Sequence, residues 1–397
     1  MLWQPPLGPQ YAGMTEGQLA EAIAARREEL GDQLVILGHH YQQDDVVRHA
    51  DFTGDSFKLA QLASEKVNEV GARYVIFCGV HFMAESADVL TPEDVAVILP
   101  DLSAGCSMAD MADYDDTVEA WRQIHEVWDG AGSDVRVVPI TYMNSSAAIK
   151  AFVGEHGGAV CTSSNAEAVM AWAFAGGTAP KREGESIRIL FLPDQHLGRN
   201  TAAAMGYDIH RQMCLWDPQT SEPLGGNDAA TIEGSDVILW KGHCSVHKLF
   251  RPEHVDQIKV QQADMTVIVH PECEYEVVQR ADISASTEGI IKAIDAGAPG
   301  SAWAVGTEVH LGNRLASRHP DKHVRILSDC QCLCTTMYRV DPSHLLWTLD
   351  ELAAGRVVNR ITVPPGVRRW SLVALRRMLA LTGGQGGARQ AEPAIAR

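Results

Sequence analysis

The chain has 397 residues, 46% apolar and 21% charged, proportions that exclude a disordered or fibrous protein and give length for two or three domains with a sizeable core. Its 33 basic and 51 acidic residues leave a net charge of -18, which repels phosphate backbones and argues against a nucleic-acid partner. No apolar run approaches the roughly 18 to 20 residues of a membrane helix, and the start MLWQPPLGPQYAGM lacks the charged and apolar regions of a signal peptide, so the expectation is a cytoplasmic protein with no membrane partner.

TEGQLAEAIAARREEL, from residue 15, has a Thr cap, an acidic first turn and helical apolar spacing. The run from DQLVILGHHYQQ to GDSFKLAQLASEKV then reads as strand, polar motif, small-residue turn and helix. ARYVIFCGVHFMAESADVLTP adds a strand and helix, and VAVILPDLSAGC a closing strand. The same order restarts at VRVVPITYMNSSAAIKAFV and again at MTVIVHPECEYEVVQRADISASTEGI. Repetition with a domain-sized period, strands alternating with helices, predicts three similar three-layer α/β domains with parallel sheets. Their expected bounds are residues 1–133 with the N-terminal helix, 134–264 with an insertion near 207–231, and 265–382 with the C-terminal helix. The Gly- and Ala-rich tail 383–397 has no apolar periodicity and is expected to be disordered.

Loops after the C-terminal ends of parallel strands bind ligands. Each predicted closing strand ends there in cysteine: Cys106, Cys244, and one of Cys330, Cys332 and Cys334. Nine cysteines in a cytosolic chain read as metal ligands or small core residues rather than disulfides, and Cys78 and Cys161 lie in apolar, core-like runs. Three thiolates meeting from three units can hold a [4Fe-4S] cluster with one open iron, or a zinc ion with one water. The plain alternative is inert buried thiols.

The first strand of each unit ends in a polar pair: His39 and Tyr41, Tyr142 and Asn144, His270 and Glu272. Two residues apart on extended chain, each pair can face one way, and His, Tyr and Glu are proton carriers suited to abstraction beside a carbonyl or imine. Ser56, Ser163 and the Ser286–Thr287 pair each precede a helix. Helix capping explains such hydroxyls; binding of carboxylate or phosphate at helix starts is the functional reading.

ILGHHYQ, GDSFKLA, AGCSMADM, TYMNSSAAIKA, CTSSNA, WKGHCSVH, HPECEYEV and ADISASTEGI together resemble the quinolinate synthase family, over residues 20–380. The resemblance implies three α/β domains related by pseudo-threefold symmetry around a central active site. It implies a transferase of NAD biosynthesis that condenses iminoaspartate with dihydroxyacetone phosphate to quinolinate, releasing phosphate and two waters. It further implies one [4Fe-4S] cluster per chain held by Cys106, Cys244 and Cys334, the last from the run C-T-T-M. Carried over by motif, His39, Tyr41, Tyr142, His270 and Glu272 would be catalytic, and Ser56, Asn144, Ser163, Ser286 and Thr287 would bind substrate alongside them. Cys330 and Cys332 would be left as a possible redox pair. L-aspartate oxidase as supplier and the iron-sulfur assembly machinery are the implied partners. An iron-sulfur redox sensor and a zinc hydrolase are the rival classes; a sensor needs no ring of proton carriers, and a hydrolase would need His or carboxylate ligands.

Overall fold

The computed structural model describes residues 3–131, 134–329 and 333–382. Cys330, Cys332 and the 383–397 tail lie outside the described residues. Each unit opens on a strand made almost wholly of apolar residues: Leu34–His39, Val135–Tyr142 and Thr266–Val269. A strand buried on both faces belongs inside a parallel sheet, and each of the three is an interior strand. On one side it pairs in parallel with a short edge strand, Phe52–Gly54, Ala159–Cys161 or Ile283–Ser284. On the other it pairs in parallel with Tyr74–Cys78, Ser186–Leu192 or Ala302–Gly306. The closing strand, Ala96–Ile98, Val237–Trp240 or His323–Ile326, lies beyond that. The three sheets thus share one local strand order, and helices such as Ser56–Val70, Ala166–Phe174 and Thr287–Ala296 return the chain between strands.

Two additions break the repetition. The stretch expected to be an insertion supplies Met213–Trp216, a fifth strand parallel to Val237–Trp240 at the edge of the middle sheet. Near the C-terminus, Arg360–Ile361 pairs antiparallel with Ala96–Ile98, so the first sheet is mixed rather than purely parallel. After a single short turn of helix at Pro9–Ala12, helix Glu16–Leu30 begins with the expected Thr15 cap, completed by Gln18 into a capping box.

Segments late in the chain tie the units together. Helix Pro342–Ala353 packs on Glu16–Leu30, and Tyr11 and Arg26 both reach its Asp350, at 2.9 and 2.7 Å. Helix Pro365–Thr382 packs against Ala147–Glu155 of the middle unit, where Ser371 Oγ donates to Ala147 O at 2.6 Å. That packing is close because Gly154 has no side chain: a Cβ there would lie 2.1 Å from Trp370 O. Gly154→Ala is therefore expected to push the two helices apart and destabilise the fold by about 1 to 3 kcal/mol, read as a lower midpoint in chemical denaturation.

Candidate active site

One cavity is lined from all three sheets. Cys106, Cys244 and Cys334 open onto it, together with His39, Tyr41, Ser56, Tyr142, Asn144, Ser163, His270, Glu272 and Thr287. Both sets of strand-end residues expected to meet therefore do so. The reason is polarity: parallel strands send all their C-terminal ends to one edge of each sheet, and the three edges face a common space.

The thiols follow closing strands and precede short helical turns, Ser107–Asp110, His247–Leu249 and Met337–Arg339. These turns aim backbone N–H groups at sulfur. Cys106 Sγ accepts from Met108 and Ala109, Cys334 Sγ from Thr336 and Met337, and Cys244 Sγ from His247. Burial pushes the Cys106 thiol up to about 12 and raises the other two, and the thiols raise one another where they interact. Three sulfurs, half-buried at the cavity wall and supplied with N–H donors, are poorly suited to free thiolates and well suited to thiolates neutralised by metal. The donor set therefore fits the metal group inferred from sequence. The other described cysteines, Cys78, Cys161, Cys214 and Cys273, are buried.

Glu272 is the electrostatic centre. Burial opposes its ionisation, but the His247 and His270 rings, at 2.5 and 3.5 Å from Oε2, and the Tyr142 hydroxyl outweigh it, and the carboxyl is held down at about 2. Its other oxygen, Oε1, is buried with no hydrogen-bond partner among the described residues. His270 Nε2 meets Ser163 Oγ at 3.1 Å, which places that serine by the histidine rather than at a cap. Burial, with the neighbouring His247, lowers His270 to about 3.

On the first unit, His39 Nδ1 accepts the Tyr41 N–H at 3.1 Å, which leaves Nε2 to carry the proton of the neutral ring. Burial lowers His39 to about 3. Tyr41 Oη lies between Thr287 Oγ1 at 3.1 Å and Thr307 Oγ1 at 2.9 Å, and Thr307 is 3.2 Å from His247 Nε2. Burial and the Glu272 charge hold both Tyr41 and Tyr142 well above the usual phenol range. Asn144 Oδ1 is buried without a partner among the described residues.

The hydroxyls separate. Ser56 is the first residue of its helix and lines the cavity, but the cap is Asp55, whose carboxylate accepts the Lys58 N–H at 2.9 Å. Ser286 is a cap, accepting the Gly289 N–H at 3.2 Å, and does not line the cavity; Thr287 beside it does.

Several functional neighbours carry no strand-end signal. His247 lies in the WKGHCSVH run, three residues after a thiol, and that spacing is its only mark. Thr307 and Glu308 follow the second strand of the third unit rather than its first or closing strand. Glu308 Oε1 accepts the Cys334 N–H at 3.4 Å, and burial lifts its carboxyl to about 8. Asn200, from helix Gln195–Ala204, donates to Pro271 O and Cys273 O, both at 2.8 Å, and so fixes the loop bearing Glu272. Gly242 lets the Cys244 loop approach the middle sheet, since a Cβ there would meet Pro193 O at 2.2 Å.

Fold and site define an enzyme built of three α/β units, whose strand ends supply thiols, imidazoles, phenols and a charged carboxylate to one buried cavity. Residues 21–380 match the family described as Quinolinate synthetase A protein. The chain is 52% identical to a quinolinate synthase of Acidobacterium capsulatum, with 94% of this chain and 95% of that protein covered. It is 49% identical to quinolinate synthases of Rhodopirellula baltica, covering 95% of this chain and 94% of the relative, and Corynebacterium glutamicum, covering 95% and 91%. The chain belongs to the quinolinate synthetase A family.

The buried histidines make stability depend on pH. Their folded values, about 3 for His39 and His270, lie below the unfolded value near 6.5. Below pH 6.5 the unfolded chain binds protons that the folded chain refuses, so stability is full above that pH and lost as pH falls toward 3. Denaturation of the metal-free protein should show a falling unfolding free energy from pH 6.5 to 5. His39→Gln should reduce that slope by up to one proton, about 1.4 kcal/mol per pH unit.

Proposed function

We propose that this chain condenses iminoaspartate with dihydroxyacetone phosphate to give quinolinate, phosphate and two waters, and that Cys106, Cys244 and Cys334 hold one [4Fe-4S] cluster for that reaction. The observation that carries the reading is the single cavity in which those thiols, one from each closing strand, meet Glu272, His39, Tyr41 and Tyr142. When bound, such a cluster supplies an open iron that acts as a Lewis acid toward a substrate oxygen.

The remaining work falls to side chains. Asn144 Oδ1 and the Tyr142 hydroxyl bind the dicarboxylate-derived part, the amide oxygen accepting from its nitrogen. The Ser56, Ser163 and Thr287 hydroxyls donate to carboxylate or phosphate oxygens, two of them from the first turn of a helix. Ser286 supports Thr287 by capping that helix. His39 presents its Nε2 proton to the triose oxygen during ketone-aldehyde isomerisation. Tyr41, hydrogen bonded to two threonines, moves a proton along that chain without ionising. Glu272 is a weak base in the empty site, but two anionic substrates beside it raise its proton affinity, and its free Oε1 then takes a carbon-bound proton, with His270 positioned to relay it. Ring closure and loss of two waters aromatise the product with no net electron transfer.

The same reading includes three domains bounded near residues 133 and 264, a cytoplasmic location, supply of iminoaspartate by L-aspartate oxidase, and cluster delivery by the iron-sulfur assembly machinery. No helix among the described residues is long and apolar enough to cross a membrane.

One observation favours a second reading. Cys244, His247 and Glu272 bring a sulfur, a ring nitrogen and a carboxylate oxygen within 4.8 Å of one another, a set that suits a single zinc ion. His247 Nε2 already faces Thr307 Oγ1 at 3.2 Å, and its Nδ1 lies 2.5 Å from Glu272 Oε2, a pair that would have to open before both atoms could ligate one ion.

Metal analysis distinguishes the two. Protein purified without oxygen should contain about four irons and matching sulfide per chain, and Cys106→Ala, Cys244→Ala and Cys334→Ala should each lose them. One zinc with no sulfide would replace the cluster reading by the mononuclear one. Glu272→Gln should keep its iron and form quinolinate roughly 10²- to 10⁴-fold more slowly.

A further inference from the structure

Lys150 is the only lysine or arginine among the described residues that is buried, with no exposed surface at all. It lies in helix Ala147–Glu155, directly after the TYMNSS motif. Its ammonium donates to Ser145 O and stands over the Phe82 ring, 5.3 Å from the centroid. No carboxylate among the described residues forms an ion pair with it.

An isolated ammonium in a dry interior is strongly unfavourable, and an apolar side chain of the same length would serve the packing better. The charges that act on Lys150 are those of Glu85 and Cys106. Glu85 is engaged elsewhere: its Oε2 accepts the Ala147 N–H at 2.9 Å, and Oε1 is 3.8 Å from His81 Nδ1. Cys106 is one of the three cavity thiols, and Phe82 itself lines that cavity, so its ring forms the wall between the ammonium and the site. Burial lowers the amine to about 7 even against the opposing charges of Glu85 and Cys106, so the protein holds this charge poorly.

We propose that Lys150 is the buried counter-charge of the cysteine-held centre, a positioning residue that offsets the negative charge of the loaded site from behind Phe82 and sets the electron affinity of that centre. Three thiolates around a cluster core of charge +2 leave a net charge of -1, opposite in sign to the Lys150 ammonium. The inference rests on the cluster reading above, and goes beyond it in assigning a residue that touches neither substrate nor metal.

The test uses the full chain, purified without oxygen, as wild type, Lys150→Met and Lys150→Gln. Methionine removes both the charge and the bond to Ser145 O; glutamine keeps a donor and removes only the charge. Iron analysis comes first, followed by a redox titration of the cluster monitored by electron paramagnetic resonance, and then melting of the metal-free forms. Both variants should retain full iron, show a more negative midpoint potential than wild type by similar amounts, and release iron to a chelator faster. Metal-free Lys150→Met should melt at or above the metal-free wild type, because a lone buried charge has gone. An unchanged potential in iron-replete variants would overturn the role of Lys150 while leaving the cluster intact. Equal destabilisation of metal-free and loaded Lys150→Met, with the potential unmoved, would mean that the lysine serves packing. A wild type without iron would overturn the cluster reading, and this inference with it.

Discussion

A carboxylate removed from water must become protonated or be surrounded by donors and positive charge. Glu272, only 2% exposed, is kept ionised by His247, His270 and Tyr142, and the whole centre depends on that arrangement. These groups come from different places in the chain: Tyr142 ends the first strand of the middle unit, His247 follows its closing strand, and His270 follows the first strand of the third unit. The charge on Glu272 in turn raises both buried phenols and the Cys244 thiol, so each remains protonated until a ligand or metal changes the balance. The site is one coupled set of charges rather than a collection of independent groups.

Such coupling tolerates little movement between units, and the contacts joining them are correspondingly specific. Asn200 of the middle unit holds two carbonyls of the Glu272 loop. Arg314 of the third unit donates to His40 O and Gln42 O, at 2.8 and 2.5 Å, and so fixes the loop carrying Tyr41. Trp240 Nε1 donates to Met111 O at 2.7 Å, linking the strand before Cys244 to the helix after Cys106. Hydrogen bonds to backbone carbonyls orient these loops; Asn200 and Trp240 do so without adding charge, and Arg314 brings a positive charge that acts on His39 and Glu308.

The element order and most of the cavity lining were legible because both follow short periods. Apolar strands and their polar ends recur three times in order, and ligand loops in parallel sheets occur at one end. His39, Tyr142, His270, Cys106 and Cys244 could be picked out on that basis, whereas Cys334 was separated from Cys330 and Cys332 only by its family motif. The cap at Ser286 was not legible since a serine before a helix looks the same whether it caps or binds, and only the direction of its hydroxyl decides. His247, Thr307, Glu308 and Lys150 escaped notice since each acts through partners distant in sequence. Lys150 reads as an ordinary helix lysine until its helix is seen to bury it.

By itself, then, the sequence determined the three α/β units, the strand ends at which chemistry must occur and, through its motifs, the family. Those features depend on local backbone preference and apolar periodicity, which short stretches encode. Tertiary structure alone decided which oxygen of Glu272 is free, which hydroxyl caps and which faces the cavity, and which unit each late helix covers. Those outcomes are set by burial and side-chain direction and by contacts such as Tyr142 with Glu272 and Ser371 with Ala147, over a hundred positions apart, quantities that no local pattern carries.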